Sequence, residues 1–451
     1  MAQISPFRAY RYNPAKVDPA RVLTQPYDKI TPEGQKYYRT LSPYNLVTVE
    51  KGPARATDSP ADNVYTRAAR AIDDWIAAQI LVRDPVASFY AYFQEFAAPG
   101  SAARQLRKGL IALGPVVDYS DGIVFRHEQT LSGPKADRLE LLRHTRAHTG
   151  QLFMLYDDPA SRIDAILSAA ASAPPDMEVL DEYGVVHRIW RIAQPEKIAA
   201  IQSAMANKKL VIADGHHRYE TALAYRTEQR IAHRAAPGTS AAPTFSDAPY
   251  EKVMMTLVNA RSNGLVILPT HRVIAGLAKF DFVALRTRVA DFFDAREVSL
   301  SSSDAVNRAA SAREQLAAAG RSGLAIGAYA GGDRLTIFTL KPSANLASAL
   351  PGATPRQREL DVFILHGLIL DKGLGITAEA VRAEQNLRYE RDAAAAISDI
   401  AEGRAQVCFL LNPVRVEQVM EMALSGEVLP QKSTDFYPKM LSGVAIYRLE
   451  D

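Results

Sequence analysis

Two adjacent histidines, an arginine and two carboxylates fall within the stretch Asp214-Gly215-His216-His217-Arg218-Tyr219-Glu220. Imidazole and guanidinium beside a carboxylate can hold an anion, move a proton or, through the carboxylate, bind a hard cation. What precedes them is an apolar run, Leu210-Val211-Ile212-Ala213, that reads as a buried strand. After the Asp-Gly turn, Leu223, Tyr225 and Arg226 continue a helical pattern. The chemistry-bearing residues therefore lie where a helix begins, with its free N–H groups and the positive end of its dipole. A phosphate or carboxylate suits that position.

Other stretches repeat the theme. Arg126-His127-Glu128 leads through a Gly-Pro turn to Lys135 and Arg138, and Leu268-Pro269-Thr270 leads to His271 and Arg272. The three His/Arg pairs are read as contributors to one pocket. Asp28 follows Pro26-Tyr27 in a loop just before the helix start Thr31-Pro32-Glu33. Near the C-terminus Lys432, Ser433 and Thr434 supply a cation and hydroxyls for phosphate oxygens. His127-Glu128 is not the zinc-protease motif, because the fourth residue after His127 is Leu131.

The elements that must position these groups alternate strand and helix, which predicts an α+β protein of mixed sheets with flanking helices. Leu46–Glu50 reads as a strand, Ser88–Phe96 and Lys108–Leu113 as a hairpin joined by the polar segment Ala97–Leu106, and Leu360–Leu370 as a helix. Ala235–Pro249, rich in Ala, Pro, Ser and Thr, reads as a mobile loop or lid. Gly331-Gly332 reads as a hairpin turn rather than a phosphate loop, since no helix follows it. Three segments are expected: a core at 1–280 carrying the Asp-Gly-His-His-Arg site, an appended unit at 281–350, and a C-terminal unit at 351–451 that returns its lysine-rich motif to the site.

With 451 residues the chain can bury sizeable cores. Its 53 basic and 50 acidic residues leave a formal charge of +3, which gives no field that would argue for nucleic acid. The single cysteine, Cys408 in Val407-Cys408-Phe409, excludes an intrachain disulfide and reads as a core residue. No apolar stretch has the length of a membrane span, so a cytoplasmic protein without membrane partners is expected.

The motifs together resemble a bacterial and archaeal family catalogued as domain of unknown function 1015. They are Pro26-Tyr27-Asp28, His127-Glu128, Asp137-Arg138, Asp214 through Ala222, Asn259, Leu268 through Arg272, and Lys432 through Lys439. That family is distantly similar to the ParB and sulfiredoxin superfamily, which includes free serine kinases. The resemblance implies a ParB/sulfiredoxin-like core and phosphoryl transfer to a small hydroxyl substrate, with L-serine the leading guess and ATP, ADP or pyrophosphate as donor. The N–H groups after Gly215, with His216, His217 and Arg218, would hold the donor phosphates, and Arg126 and Arg272 would neutralise developing charge. Asp214 would bind Mg2+ or act as base, with Glu128 and Asp28 as rival bases.

Two other chemistries compete. A metal-dependent hydrolase would use His127, Glu128, Asp214 and His216 as ligands. Against it, adjacent helical residues diverge by about 100°, so His216 and His217 cannot both reach one ion from a regular turn. A nucleotide-binding ParB-like regulatory protein is the third, opposed by the balanced charge and the lack of an evident helix-turn-helix.

Overall fold

The computed structural model describes residues 2–128, 133–235, 248–300 and 304–449. The expected lid lies, from 236 to 247, outside the described residues. The chain divides into two compact units, one of residues 1–266 and 438–451, the other of residues 267–437. Among the described residues no helix is long and apolar enough to cross a membrane.

The first unit is built on an eight-stranded mixed sheet. Its strands in chain order are β1 (Phe89–Ala97), β2 (Arg104–Pro115), β3 (Val124–Phe125), β4 (Leu152–Tyr156), β5 (Met177–Leu180), β6 (Val186–Ile192), β7 (Leu210–Asp214) and β8 (Lys252–Asn259). Their order across the sheet is β3-β7-β4-β8-β2-β1-β6-β5. β3 runs parallel to β7 and β4 parallel to β8, while the other neighbours are antiparallel. Its helices include α1 (Val64–Ala77), α2 (Gly133–Thr145), α3 (Arg162–Ala170), α4 (Pro195–Met205) and α5 (His216–Ala235).

Continuous apolar runs explain the central strands. Leu152, Met154, Leu210, Ile212 and Leu257 are all fully buried, in one core with Ile163 and Leu167 of α3, Ile201 and Met205 of α4, and Tyr219 of α5. Each such aliphatic side chain contributes about 1.5–3 kcal/mol when buried. A slip of β7 by one residue would turn Ile212 to the opposite face, so the core fixes where the strand ends and hence where Asp214 emerges.

Leu46–Glu50 departs from the expected strand: Val47–Glu50 is one helical turn. The alternation of Val47 and Val49 is overridden by Asn45, whose Oδ1 accepts from the Val47 N–H at 3.0 Å while its Nδ2 donates to the Arg21 carbonyl at 2.8 Å. The turn places Glu50 in the interior. Residues 438–449 complete this unit, with Ser442 and Thr24 exchanging backbone hydrogen bonds and Tyr447–Arg448 pairing with Ala147–His148.

The second unit holds a six-stranded antiparallel sheet. Its strands are β9 (His271–Ile274), β10 (Phe293–Ser299), β11 (Ala325–Tyr329), β12 (Arg334–Leu340), β13 (Leu387–Glu390) and β14 (Val407–Leu411), in the order β10-β12-β11-β14-β9-β13. Helices α6 (Ala305–Gly320) and α7 (Ala393–Ala401) bury small faces, Ala309, Ala312 and Ala396, in one core with Tyr329, Leu335 and Cys408. Gly331 and Gly332, both with positive φ, make the β11–β12 hairpin turn as expected. The helix expected over Leu360–Leu370 is Asp361–Ile364 continuing into a π-helical stretch, Leu365–Gly373.

Candidate functional site

The site begins with an irregularity at the end of β7. Pairing with β4 runs Val211 to Leu155 and Ile212 to Met154, then jumps so that Asp214 faces Phe153. The extra residue, Ala213, is a bulge, which bends the strand and re-aims the side chain that follows. Gly215 comes next at φ +97°, and α5 starts at His216. A Cβ on Gly215 would lie 3.0 Å from Leu152 Cδ2 and 3.1 Å from the Arg218 guanidinium. Glycine is required here both by the left-handed backbone and by the close approach. The Tyr219 N–H donates to the Gly215 carbonyl at 3.0 Å, so the N–H groups of the first turn are left at the mouth of the helix.

Asp214 is the hub. Its Oδ2 accepts from Arg218 Nη2 at 2.9 Å and its Oδ1 from Lys439 Nζ at 3.0 Å. Burial alone would raise its pKa, but Lys439, Arg218 and Lys29 together hold it well below the usual carboxylate range. Arg218 is anchored a second time, through Nη1 to the Gln151 carbonyl at 2.5 Å. Lys439 is held through its backbone: its carbonyl accepts from Gln94 Nε2 at 2.8 Å, and the Pro438 carbonyl accepts from Arg107. Arg107 is itself buried against the Phe153 ring, which pulls its pKa down to about 9.

The imidazoles form a second layer. His127 is fully buried and its Nδ1 donates to the Ile212 carbonyl at 2.6 Å, which leaves Nε2 as the acceptor nitrogen. Its ring meets His216 edge to face with centroids 4.8 Å apart, and Glu128 Oε2 lies 3.9 Å from its Nε2. Burial pushes His127 down to about 4, His216 far below its ordinary value and His217 down as well. All three are neutral at pH 7. Nε2 of His216 and Nε2 of His217 are both buried with no hydrogen-bond partner among the described residues. Such groups are costly unless something completes them.

The remaining predicted residues are distributed as follows. Lys135 is ion-paired with Glu220, one turn up α5 from His216. Arg126 is exposed with its guanidinium 5.2 Å from the Tyr119 ring. Asp28 is exposed on the Tyr27–Lys29 turn, and Arg138 lies 4.3 Å over the Tyr27 ring. His271, Arg272, Lys432, Ser433 and Thr434 belong to the second unit. There Arg272 is buried, donating to His366 Nε2 at 3.2 Å and to the Thr270 carbonyl, and Lys432 is paired with Glu384 at 2.5 Å.

Sequence reasoning chose Lys432 from the tail motif because two hydroxyls follow it, and passed over Lys439, Lys29 and Gln151. The Asp28–Lys29 adjacency and the lysine at the end of the quoted tail motif were the available signals. No pattern marks Gln151, which acts through its backbone carbonyl.

The donor set does not fit a protein-held metal ion. Asp214 is flanked by the cations Arg218 and Lys439, which oppose a further positive charge, and among the described residues no group of three His, Cys, Asp or Glu side chains is placed to hold an ion. The hydrolase ligand set His127, Glu128, Asp214 and His216 is therefore not gathered as such a group among the described residues.

The fold and site define an α+β protein whose central strand ends in a bulge, a left-handed glycine and a helix start lined with basic groups. The chain belongs to the family of proteins of unknown function DUF1015, whose model matches residues 4–363. Among solved structures it is similar to a conserved hypothetical protein from Pyrococcus furiosus, at 15% identity and TM-score 0.34 over 76% of this chain and 96% of that one. It is also similar to a free serine kinase in complex with AMP, at 14% identity and TM-score 0.33 over 72% and 86%. A third is a C-terminally truncated SbnI from Staphylococcus aureus, at 12% identity and TM-score 0.33 over 74% and 85%. No curated protein matches the chain.

Proposed function

We propose that the protein is a phosphotransferase acting on a small hydroxyl-bearing metabolite, with free L-serine as acceptor and ATP, ADP or pyrophosphate as donor, working in the cytoplasm. The observation that carries this reading is the pair of buried, unpartnered imidazole nitrogens of His216 and His217 at the N-terminus of α5, beside Arg218 and Lys439. Phosphoryl transfer asks mainly for alignment and charge stabilisation of phosphate oxygens. Helix N–H groups, neutral imidazole N–H groups and two cations supply both.

In this reading Asp214 is a positioning residue: it holds Lys439 and Arg218 on either side of the helix start. The acceptor hydroxyl oxygen attacks the terminal phosphorus of the donor. As the new O–P bond forms, the bond to the leaving phosphate or nucleotide breaks, and the hydroxyl proton passes to Glu128. Glu128 is preferred as base to Asp214, which Lys439 and Arg218 hold well below the usual carboxylate range and so make a weak base, and to Asp28, which is exposed. Magnesium in the assay accompanies the donor phosphates; no step is assigned to an ion held by the protein.

The test incubates the purified protein with magnesium, L-serine and each donor in turn, and reads phosphoserine by phosphorus NMR. Product with one donor, and a loss of about 100-fold or more in His217→Ala with unchanged melting temperature, is the expected result. Absence of product with every donor contradicts the reading.

A further inference from the structure

Three of the motifs meet at a second place in the first unit. Tyr27, Arg138 and Arg218 line one partly open cavity of about 50 Å³, together with Glu50, His148, Thr149 and apolar side chains. A water needs roughly 10–15 Å³ in this measure, so the cavity admits a handful of non-hydrogen atoms and no nucleoside. Arg218 is shared with the anion site, since its guanidinium also holds Asp214.

The cavity wall carries opposite charges side by side. The Glu50 side chain is 7% exposed and that of Arg138 10%, with Arg138 Nη1 donating to Glu50 Oε2 at 3.1 Å. Glu50 Oε1 accepts from the Thr149 hydroxyl at 2.5 Å. A carboxylate has two lone pairs on each oxygen, so Glu50 keeps acceptor capacity beyond these two bonds. Arg138 and Arg218 likewise keep N–H groups beyond those given to Glu50, Asp137, Asp214 and the Gln151 carbonyl. A buried ion pair seldom stabilises a fold more than apolar packing would. One that borders a small cavity with donors and an acceptor unspent matches a ligand carrying both charges.

We propose that this cavity is the acceptor subsite and that it reads the zwitterion of a small α-amino acid, its ammonium on Glu50 and its carboxylate on Arg138 and Arg218. This rests on the phosphotransferase reading only for the word acceptor; the binding claim stands on the cavity. Leu141, Leu142, Leu152 and Val253 in the wall limit the side chain to a small one. Arg218 then couples the two halves of the site, because it contacts both the cavity and the carboxylate at the helix start.

Calorimetric titration of the full chain with L-serine, ethanolamine and glycolate tests the proposal without any variant. L-serine is expected to bind, and ethanolamine, lacking the carboxylate, and glycolate, lacking the ammonium, at least tenfold more weakly. Glu50→Gln is expected to weaken L-serine at least tenfold while leaving pyrophosphate affinity unchanged, which separates this subsite from the anion site. Thr149→Val, which removes only the hydroxyl that orients Glu50, gives a smaller loss in the same direction. Equal affinity for the three small molecules, or no binding of L-serine, overturns the inference whether or not phosphoserine is formed. Binding of L-serine with no phosphoryl transfer from any donor supports it and overturns the phosphotransferase reading instead.

Discussion

Of the chain's four His-Arg dipeptides, His217-Arg218 in the first unit and His271-Arg272 in the second sit in different backbone settings. His217-Arg218 opens a helix after a left-handed glycine, where neighbouring side chains fan out by about 100° around a mouth of backbone N–H groups. There His217 keeps a buried nitrogen without a partner, and Arg218 braces Asp214. His271-Arg272 opens β9, with His271 paired by β13 and Arg272 paired on both sides, by β13 and β14. Successive strand residues face opposite ways, so the two side chains serve different surroundings. His271 Nδ1 accepts from the Leu411 N–H at 3.2 Å, placing its proton on Nε2, the reverse of His127, whose Nδ1 donates to Ile212. His271 Nε2, like His217 Nε2, is buried without a hydrogen-bond partner among the described residues, so the two settings differ in backbone rather than in whether a nitrogen is left over.

Removing the hub is the most severe way to break the contrast. Asp214→Ala strands Lys439 and Arg218 without their shared carboxylate, and a loss of roughly 3 kcal/mol in urea unfolding is expected. A loss below 0.5 kcal/mol would show that the cluster does not depend on it. Gly215→Ala comes next, at about 1–3 kcal/mol, because it combines φ +97° with contacts at 3.0–3.1 Å. Gly331→Ala in the second unit shares the positive φ but meets nothing within 4 Å, so its cost is expected to be smaller, about 1 kcal/mol. Equal costs would mean that the close approach to Leu152 and Arg218 is unimportant.

The buried imidazoles predict an acid-side weakness. His127 titrates near 4 in the folded chain against about 6.5 unfolded. Between those values the unfolded state binds more protons, so stability falls as pH drops from about 6.5 toward 4. His127→Gln is expected to flatten that limb of the stability profile; an unchanged slope would assign it to other groups. The smallest effect is chemical. Cys408, buried in β14 with its thiol pushed up to about 12, is expected to resist thiol reagents until the chain unfolds. Labelling of the native protein at neutral pH would contradict its place in the core.

The strand, turn and helix around Asp214 were legible because an apolar run, Asp-Gly and a helical repeat are all local signals. Cys408 as core and Gly331-Gly332 as hairpin were legible for the same reason. The register bulge at Ala213 was not, since it depends on the pairing with the start of β4. Leu46–Glu50 misled because two valines alternate around a threonine, all three β-branched, while a single side chain, Asn45, decides the turn. Lys439 and Glu50 reach their positions only through tertiary contacts, Lys439 by a tail that returns to the first unit and Glu50 by that turn. Residue type points to Lys432, whose ammonium is paired with Glu384 in the second unit.

The central claim is that the start of α5 is built for a phosphate donor. Titrating pyrophosphate into the wild-type chain and into Lys439→Met at low salt tests it most directly. The account predicts saturable binding by the wild type and at least a tenfold weaker affinity in the variant. Absence of binding by the wild type, or equal affinity in the two, would contradict it.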